Sequence, residues 1–274
     1  MKLPRISIVT PSFNQAEYLE ETILSVLNQG YPNIEYIVID GGSTDGSVEI
    51  IRKYEKQLSY WIAESDRGQS DALVKGFKHA TGEIFAWLCS DDLYKPGALW
   101  VATGAFLNVP ALDVFYGDTE YLYPDGTTRR KNRVAYEYSI MRYFNLIAQP
   151  SSFFSRVSYE RAGGLDPSLR YAMDYDLFLR MGSEARCVNV PLVLSSYRLH
   201  SGSKTVSQAE RFSAEWRSAR EKALGRRVNA FDALIGYWYM GRVAWKYWTE
   251  RKECKLWYDN SKYRIRVPLS SLPR

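Results

Sequence analysis

The sequence predicts an α/β fold built on a mostly parallel central sheet flanked by helices, followed by a helical appendage. Three observations carry that expectation. Short β-branched or aromatic runs alternate with stretches of helical period through the first 92 residues, and parallel strands joined by right-handed crossovers are the expected packing of such alternation. The runs Tyr36-Ile37-Val38-Ile39 and Ile84-Phe85-Ala86-Trp87-Leu88 are apolar at every position, as strands covered by helices on both faces must be. Each run ends in acid, Asp40 after one and Asp91-Asp92 after the other. That places carboxylates at the carboxyl edge of the sheet, where open α/β folds bind ligands.

Bulk properties bound the rest. The chain has 274 residues, 46% of them hydrophobic and 24% charged, enough for one large domain or a domain with an appendage. Cys89, Cys187 and Cys254 are widely spaced, odd in number and lack CxxC spacing, which argues against a disulfide framework or thiolate zinc site and fits a reducing compartment. Met1-Lys2-Leu3-Pro4-Arg5 enters a strand-like run at once, leaving no room for a secretory apolar region. No window of 18 residues lacks a charge, so no membrane span is expected. The expectation is a cytoplasmic protein, peripheral on the inner face of the plasma membrane at most. The net charge of +5 is uneven: residues 205–274 hold 15 Lys+Arg against 7 Asp+Glu, and five of the eight tryptophans (Trp216, Trp238, Trp245, Trp248, Trp257). A basic, aromatic tail favours an anionic surface, with membrane lipid ahead of nucleic acid.

Taken in order, Ile6-Ser7-Ile8-Val9-Thr10 stops at Pro11-Ser12 and reads as the first strand. Asn14 is placed to cap the next helix, with Glu17 as reciprocal partner, and Leu19, Ile23, Val26 and Leu27 form one apolar stripe. Asn28-Gln29-Gly30-Tyr31-Pro32 stops it. The second strand runs into Asp40-Gly41-Gly42-Ser43-Thr44-Asp45-Gly46, and a helix through Val48, Ile51 and Tyr54 follows. Tyr60 to Ala63 is a short strand, Asp71 to Ala80 a helix, and Ile84 to Leu88 the strand that delivers Asp91 and Asp92. Adjacent like charges repel unless a cation or several donors hold them, which makes the pair a divalent-metal and nucleotide candidate. The alternative is a cap for the helix expected after Pro96.

Beyond Val114 the rhythm changes. Residues 114–118 and 120–123 are strand-like, Pro124-Asp125-Gly126 signals a hairpin turn, and Arg129, Arg130, Lys131 and Arg133 read as a solvated edge ahead of a ligand site. Gln149 to Phe154 is expected to be a strand, Asp174 to Met181 a helix, and Cys187 to Leu194 a strand. Past Ser207 the chain reads as helical, with Phe231, Leu234, Ile235 and Trp238 on one face. Core packing, oligomer contact and membrane docking all fit that stripe.

The motifs together resemble the inverting glycosyltransferases of family 2. The matching pieces are Val9 to Asn14, Val38 to Ser47, Glu64 to Ala72, Gly82 to Asp92, Gln149-Pro150-Ser151, Gly163 to Asp166 and Ala172 to Arg180, in the family's order and spacing. The resemblance implies a GT-A fold, Rossmann-like, over residues 1–205. Residues 1–112 would be the nucleotide-binding half, 113–205 the acceptor half and 206–274 the appendage. It implies a nucleoside-diphosphate sugar donor, a saccharide or lipid-linked acceptor, and Mn²⁺ or Mg²⁺ as cofactor. By position, Pro11 and Phe13 resemble the wall of a nucleobase pocket, Asp40 the acceptor for a base N–H, and Asp91 the holder of the ribose. Asp92 resembles the metal ligand of a DxD-type motif, a hard donor suited to those ions.

The same resemblance makes Asp174 the base that deprotonates the acceptor hydroxyl; helix capping is the alternative. Asp176, two residues on, should project from another side of the helix. Ser70, Asp71 and Lys75 fall where the family contacts ribose or phosphate, and Gln149 near the donor or acceptor sugar. In the segment from Arg198 to Thr205, His200 would touch the metal and Lys204 a phosphate, or the segment is a loop without a ligand. His79 reads as a surface helix residue. Many relatives carry a further Asp where this chain has Cys89, so the third carboxylate is missing here.

Three rival functions fit the sequence less well. A sugar nucleotidyltransferase needs a glycine-rich basic loop after the first strand, and Thr10 to Asn14 has neither glycine nor base. A non-catalytic nucleotide-sugar-binding protein is opposed by the intact Asp40, Asp91, Asp92 and Asp174. A dehydrogenase lacks its GxGxxG.

Overall fold

The first half of the chain alternates strand and helix as its periodicity requires: β1 (Ile6–Ser12), α1 (Ala16–Leu27), β2 (Ile34–Asp40), α2 (Ser47–Tyr54), β3 (Tyr60–Ala63), α3 (Gln69–His79) and β4 (Ile84–Trp87). Strands β2 and β4 flank β1, β3 lies outside β2, and all three pairings are parallel. The computed structural model describes residues 2–203, 209–232, 234–239 and 241. The second half adds β5 (Leu93–Tyr94), α4 (Ala98–Asn108), β6 (Val114–Leu122), β7 (Thr128–Lys131), α5 (Tyr138–Met141), β8 (Ser152–Ser155), α6 (Arg156–Arg161), α7 (Met173–Met181), β9 (Cys187–Arg198) and α8 (Ala209–Leu224). One sheet runs through both halves in the order β3-β2-β1-β4-β8-β6-β9-β5, with β7 hairpinned onto β6. No helix among the described residues is long and apolar enough to cross a membrane.

Burial on both faces shows in how neighbouring residues divide. Val9, Ile37, Trp87 and Val114 pack with Leu73 and Phe77 of α3 and with Tyr175 and Phe178 of α7. Ile8, Val38, Ala86 and Phe115 pack on the other side with Leu19 and Ile23 of α1 and Leu99 of α4. Alternation along each strand therefore feeds two apolar layers. Trp87 is almost fully buried among Phe77 and Phe154, and its truncation to Ala would cost about 3–5 kcal/mol. Helix α3 lies so close to β1 that a Cβ on Gly76 would run into Val9.

Four expectations need correction. Asn14 does not cap α1: it adopts φ 50 and its side-chain oxygen accepts from Thr44 N–H, while the first turn's Ala16 N–H is taken by Asp45. The β1 and β2 loops cap each other, a long-range exchange that a local capping pattern cannot express. Gln149–Ser151 is a 3-10 turn, and the strand begins only at Ser152, because Pro150 withholds the N–H that a ladder needs. Strand β9 continues past Leu194 to Arg198, carried by parallel pairing with β6 and by β5, a two-residue strand the sequence did not signal. The basic run is a solvated edge at Arg129, Arg130 and Lys131, all exposed although Arg130 also pairs with the fully buried Asp118, but not at Arg133, which is half-buried.

Candidate active site

The carboxyl edge of the parallel strands gathers the acidic residues. After β4 the chain turns sharply, with Asp92 N–H donating to Cys89 C=O at 3.0 Å, and then enters β5. Donor atoms of Cys89, Asp91 and Asp92 lie within 4.8 Å of one another. Asp92 is 1% exposed; its Oδ1 accepts from Arg198 N–H at 3.0 Å, and its buried Oδ2 has no partner. Burial, and then the neighbouring Asp91, push its carboxyl well above the usual carboxylate range. A buried carboxylate oxygen without a donor is costly, and beside a second carboxylate it fits a divalent cation. Asp91 Oδ2 lies 3.0 Å from His200 Nε2. His200 therefore reaches this turn through Asp91 and is not one of the three clustered residues. Lys204 lies outside the described residues.

Cys89 sits between two amides. Gln69 Nε2 donates to its Sγ at 3.0 Å, and Gln149 Nε2 donates to Trp87 C=O at 2.7 Å with its Oε1 3.8 Å from the sulfur. Gln149 is thus held against the acidic turn by the 3-10 segment that replaced the expected strand.

At the end of β2, Asp40 is fully buried. Its Oδ1 accepts from Gly42 and Ser43 N–H and its Oδ2 from Ser43 Oγ, so the residue shapes its own loop. Pro11 is buried beside it in register with Ile39, and Phe13 is 58% exposed just beyond. Asp66, to which the sequence reading assigned no role, crowds Gly41, and burial raises its pKa. Ser70 Oγ donates to Leu169 C=O. Asp71 is engaged by Arg67 at 2.8 Å and by Lys75 at 3.8 Å, and Arg67 holds its carboxyl below the usual range. In this structure Ser70 and Asp71 tie loops together. His79 stacks on Tyr60 at 3.8 Å between ring centres.

Asp174 occupies the first turn of α7, half-buried, with Asn145 Nδ2 donating to its Oδ2 at 2.9 Å. Burial pushes its pKa up to about 6, against the opposing Tyr175 N–H and Asn145 amide. Asp176 turns to Arg180 at 2.7 Å. Asn145 holds Asp174 while Gln149, four residues on, is pinned at the acidic turn; such a span covers at most about 14 Å. One short segment, Asn145 to Gln149, therefore touches both Asp174 and the Cys89 that opens the acidic turn.

Two contributors were missed. Arg198 donates its backbone N–H to Asp92 and its Nε to the Asp91 carbonyl, pairs with Glu21 and lies 4.9 Å over the Tyr18 ring. Its position two residues before His200 was the available signal. Asn145 had none, since its partner is distant in sequence. Asp40, Asp66, Asp91 and Asp92 gather at this sheet edge, with Arg198 bonded to the turn that carries the last two.

The model of Glycosyl transferase family 2 matches residues 7–159. An uncharacterized glycosyltransferase of Mycobacterium tuberculosis is 30% identical over 200 residues, covering 71% of this chain and 75% of its own length. One of Rickettsia typhi is 29% identical over 225 residues, 78% of this chain and 70% of its own. Among solved structures, S. aureus TarS 1-349 in complex with UDP-GlcNAc superposes with TM-score 0.66 at 18% identity, over 87% of this chain and 72% of that one. The mannosyltransferase PcManGT from Pyrobaculum calidifontis, in complex with GDP-Man and Mn²⁺, gives TM-score 0.57 at 21% identity, over 82% of this chain and 63% of that one. These two likenesses share the GT-A fold.

Proposed function

Because the chain belongs to glycosyl transferase family 2, we propose that it transfers a sugar from a nucleoside-diphosphate sugar, a UDP-sugar first among candidates, to an acceptor hydroxyl by a metal-dependent inverting displacement. The observation that carries this reading is the buried Asp92 oxygen without a partner, clustered with Asp91 and Cys89, while Asp174 is tied through Asn145 to the short segment whose Gln149 meets Cys89. The neighbour structures with UDP-GlcNAc and with GDP-Man and Mn²⁺ support it.

In this reading Phe13 stacks on the base and Pro11 backs it. Asp40, with lone pairs beyond those its loop uses, accepts a base N–H. Asp91 holds the ribose, and Asp92 with Asp91 beside it would hold Mn²⁺ or Mg²⁺. A divalent ion held there would supply positive charge to offset that on the departing nucleoside diphosphate. Arg198 adds a fixed cation over the same turn. Asp174, with a pKa near 6, is mostly ionised at neutral pH and accepts the proton of the attacking hydroxyl. Asn145 orients that carboxylate. One in-line attack at the anomeric carbon inverts its configuration.

The acceptor is expected to be a growing cell-surface polysaccharide or a glycolipid. Phe231 is 67% and Trp238 60% exposed on a segment that packs on Tyr143 and Phe144 beside Asn145. An apolar face there, on a basic tail, suits peripheral docking on an anionic membrane. Trp245, Trp248 and Trp257 lie outside the described residues. The test incubates purified protein with Mn²⁺ or Mg²⁺ and a panel of UDP-, dTDP- and GDP-sugars, following nucleotide release and thermal shift. Asp92→Ala should lose metal-dependent donor binding, and Asp174→Ala should bind donor but not transfer. Native-rate transfer by the Asp174 variant would overturn the base assignment.

A further inference from the structure

Between β7 and α5, the Arg133 guanidinium makes no direct ion pair among the described residues, although Asp118 and Asp174 act on its charge from nearby. The natural partner is Asp118, buried where the pairing of β6 with β9 slips register, an irregularity that re-aims side chains. Its Oδ2 accepts from Arg130 Nε at 2.9 Å and from Nη2, while its Oδ1 accepts the Arg133 backbone N–H at 2.6 Å. Asp118 is therefore taken by Arg130 and by the Arg133 main chain. The Arg133 guanidinium makes no ion pair or hydrogen bond among the described residues, and its Nε is buried without a partner. Arg161 and Arg180, in the same half, each reach a carboxylate, at 2.8 and 2.7 Å. Tyr116, Tyr121, Asp118 and Asp174 are the groups whose charges act on it, and burial pushes its pKa down. Asp174 is within electrostatic reach, but its Oδ2 is bonded to Asn145.

A half-buried guanidinium whose Nε is buried without a partner carries an unmet donor in the empty protein, and a guanidinium fork matches carboxylate or phosphate oxygens two at a time. We propose that Arg133 receives an anionic group, carboxylate or phosphate, on the acceptor, so that the enzyme selects negatively charged acceptors and seats their hydroxyl at Asp174. This rests on the transferase reading above.

The experiment compares acceptor analogues in matched pairs with the full-length protein, Mn²⁺ and a turned-over donor sugar: methyl glucuronide against methyl glucoside, and glycerol 3-phosphate against glycerol. The pairs separate a carboxylate source from a phosphate source. Wild type should favour the charged member of one pair in kcat/KM by about tenfold to a hundredfold, the range of a charge-assisted contact. Arg133→Gln should bring that ratio toward one through KM, and Arg133→Lys should restore part of it. Titration calorimetry with glucuronate and glycerol 3-phosphate gives the same comparison without turnover: the favoured anion should bind wild type and not Arg133→Gln. Equal use of charged and neutral analogues by wild type would overturn the proposal. A proportional fall for both pair members, or a raised donor KM in Arg133→Gln, would do so too. Failure of the transferase reading would show separately, as absent sugar-nucleotide cleavage by wild type.

Discussion

Removing the Asn145 side chain should move the acid limb of activity upward in pH. Its Nδ2 donates to Asp174 Oδ2 at 2.9 Å, one of the contacts that oppose the effect of burial and leave the carboxyl at about 6. A hydrogen bond to a charged group contributes roughly 1.5–3 kcal/mol, and at about 1.4 kcal/mol per pKa unit its loss raises the carboxyl by about one to two units. The sign follows from the role: a base is lost as pH falls through its pKa. Wild-type kcat should fall about tenfold per unit below pH 6, and Asn145→Ala should show the same slope beginning at roughly pH 7 to 8. At pH 7 wild type is about 90% ionised and the variant roughly 10–50%, a loss of about twofold to ninefold that vanishes near pH 9. The assay is nucleoside-diphosphate release at saturating donor and acceptor from pH 5 to 9.5, with Asn145→Ser as a second variant. A limb that stays in place while the plateau drops at every pH would refute the electrostatic account and leave Asn145 a positioning role only. Survival of the limb in Asp174→Asn would refute Asp174 as its source.

Other perturbations read different parts of the site. Asp92 has a raised folded-state pKa, so its ionisation opposes folding increasingly as pH rises toward that pKa; Asp92→Asn should raise the metal-free Tm at pH 8, by about 2–4 °C per kcal/mol relieved, and abolish any Mn²⁺-induced shift in differential scanning fluorimetry. Arg198→Ala removes the cation over Asp91 and its pair with Glu21 and should weaken UDP binding by about tenfold in titration calorimetry. Gly76→Val forces α3 away from Val9 and should destabilise by about 1–3 kcal/mol, seen as a lower urea midpoint. A double Phe231→Ser, Trp238→Ser variant should float less with anionic vesicles while keeping turnover of soluble acceptors; undiminished flotation would remove the membrane role from that face.

Legibility in the sequence tracks how local the physics is. The alternation through β4 was readable because each strand is apolar on both faces and each helix carries its own stripe, so no distant partner is needed to recognise them. The same locality exposed Asp40, Asp91 and Asp92: an apolar run that stops at an acid announces a strand end, and parallel strands put those ends on one edge. Recognition failed where a residue's role is set by a partner far along the chain. Arg198 meets Asp92 across more than a hundred positions because β9 returns between β6 and β5, and no window contains both. Asn14 has the composition of a cap, yet Asp45 supplies the bond because two loops meet at the sheet edge. The basic run shows the limit most sharply. Arg129, Arg130, Lys131 and Arg133 look alike in sequence, but Arg130 reaches Asp118 with its guanidinium while Arg133 gives that carboxylate only its backbone N–H. Which of them reaches Asp118 with its side chain is decided by strand register, which no local window of the sequence expresses.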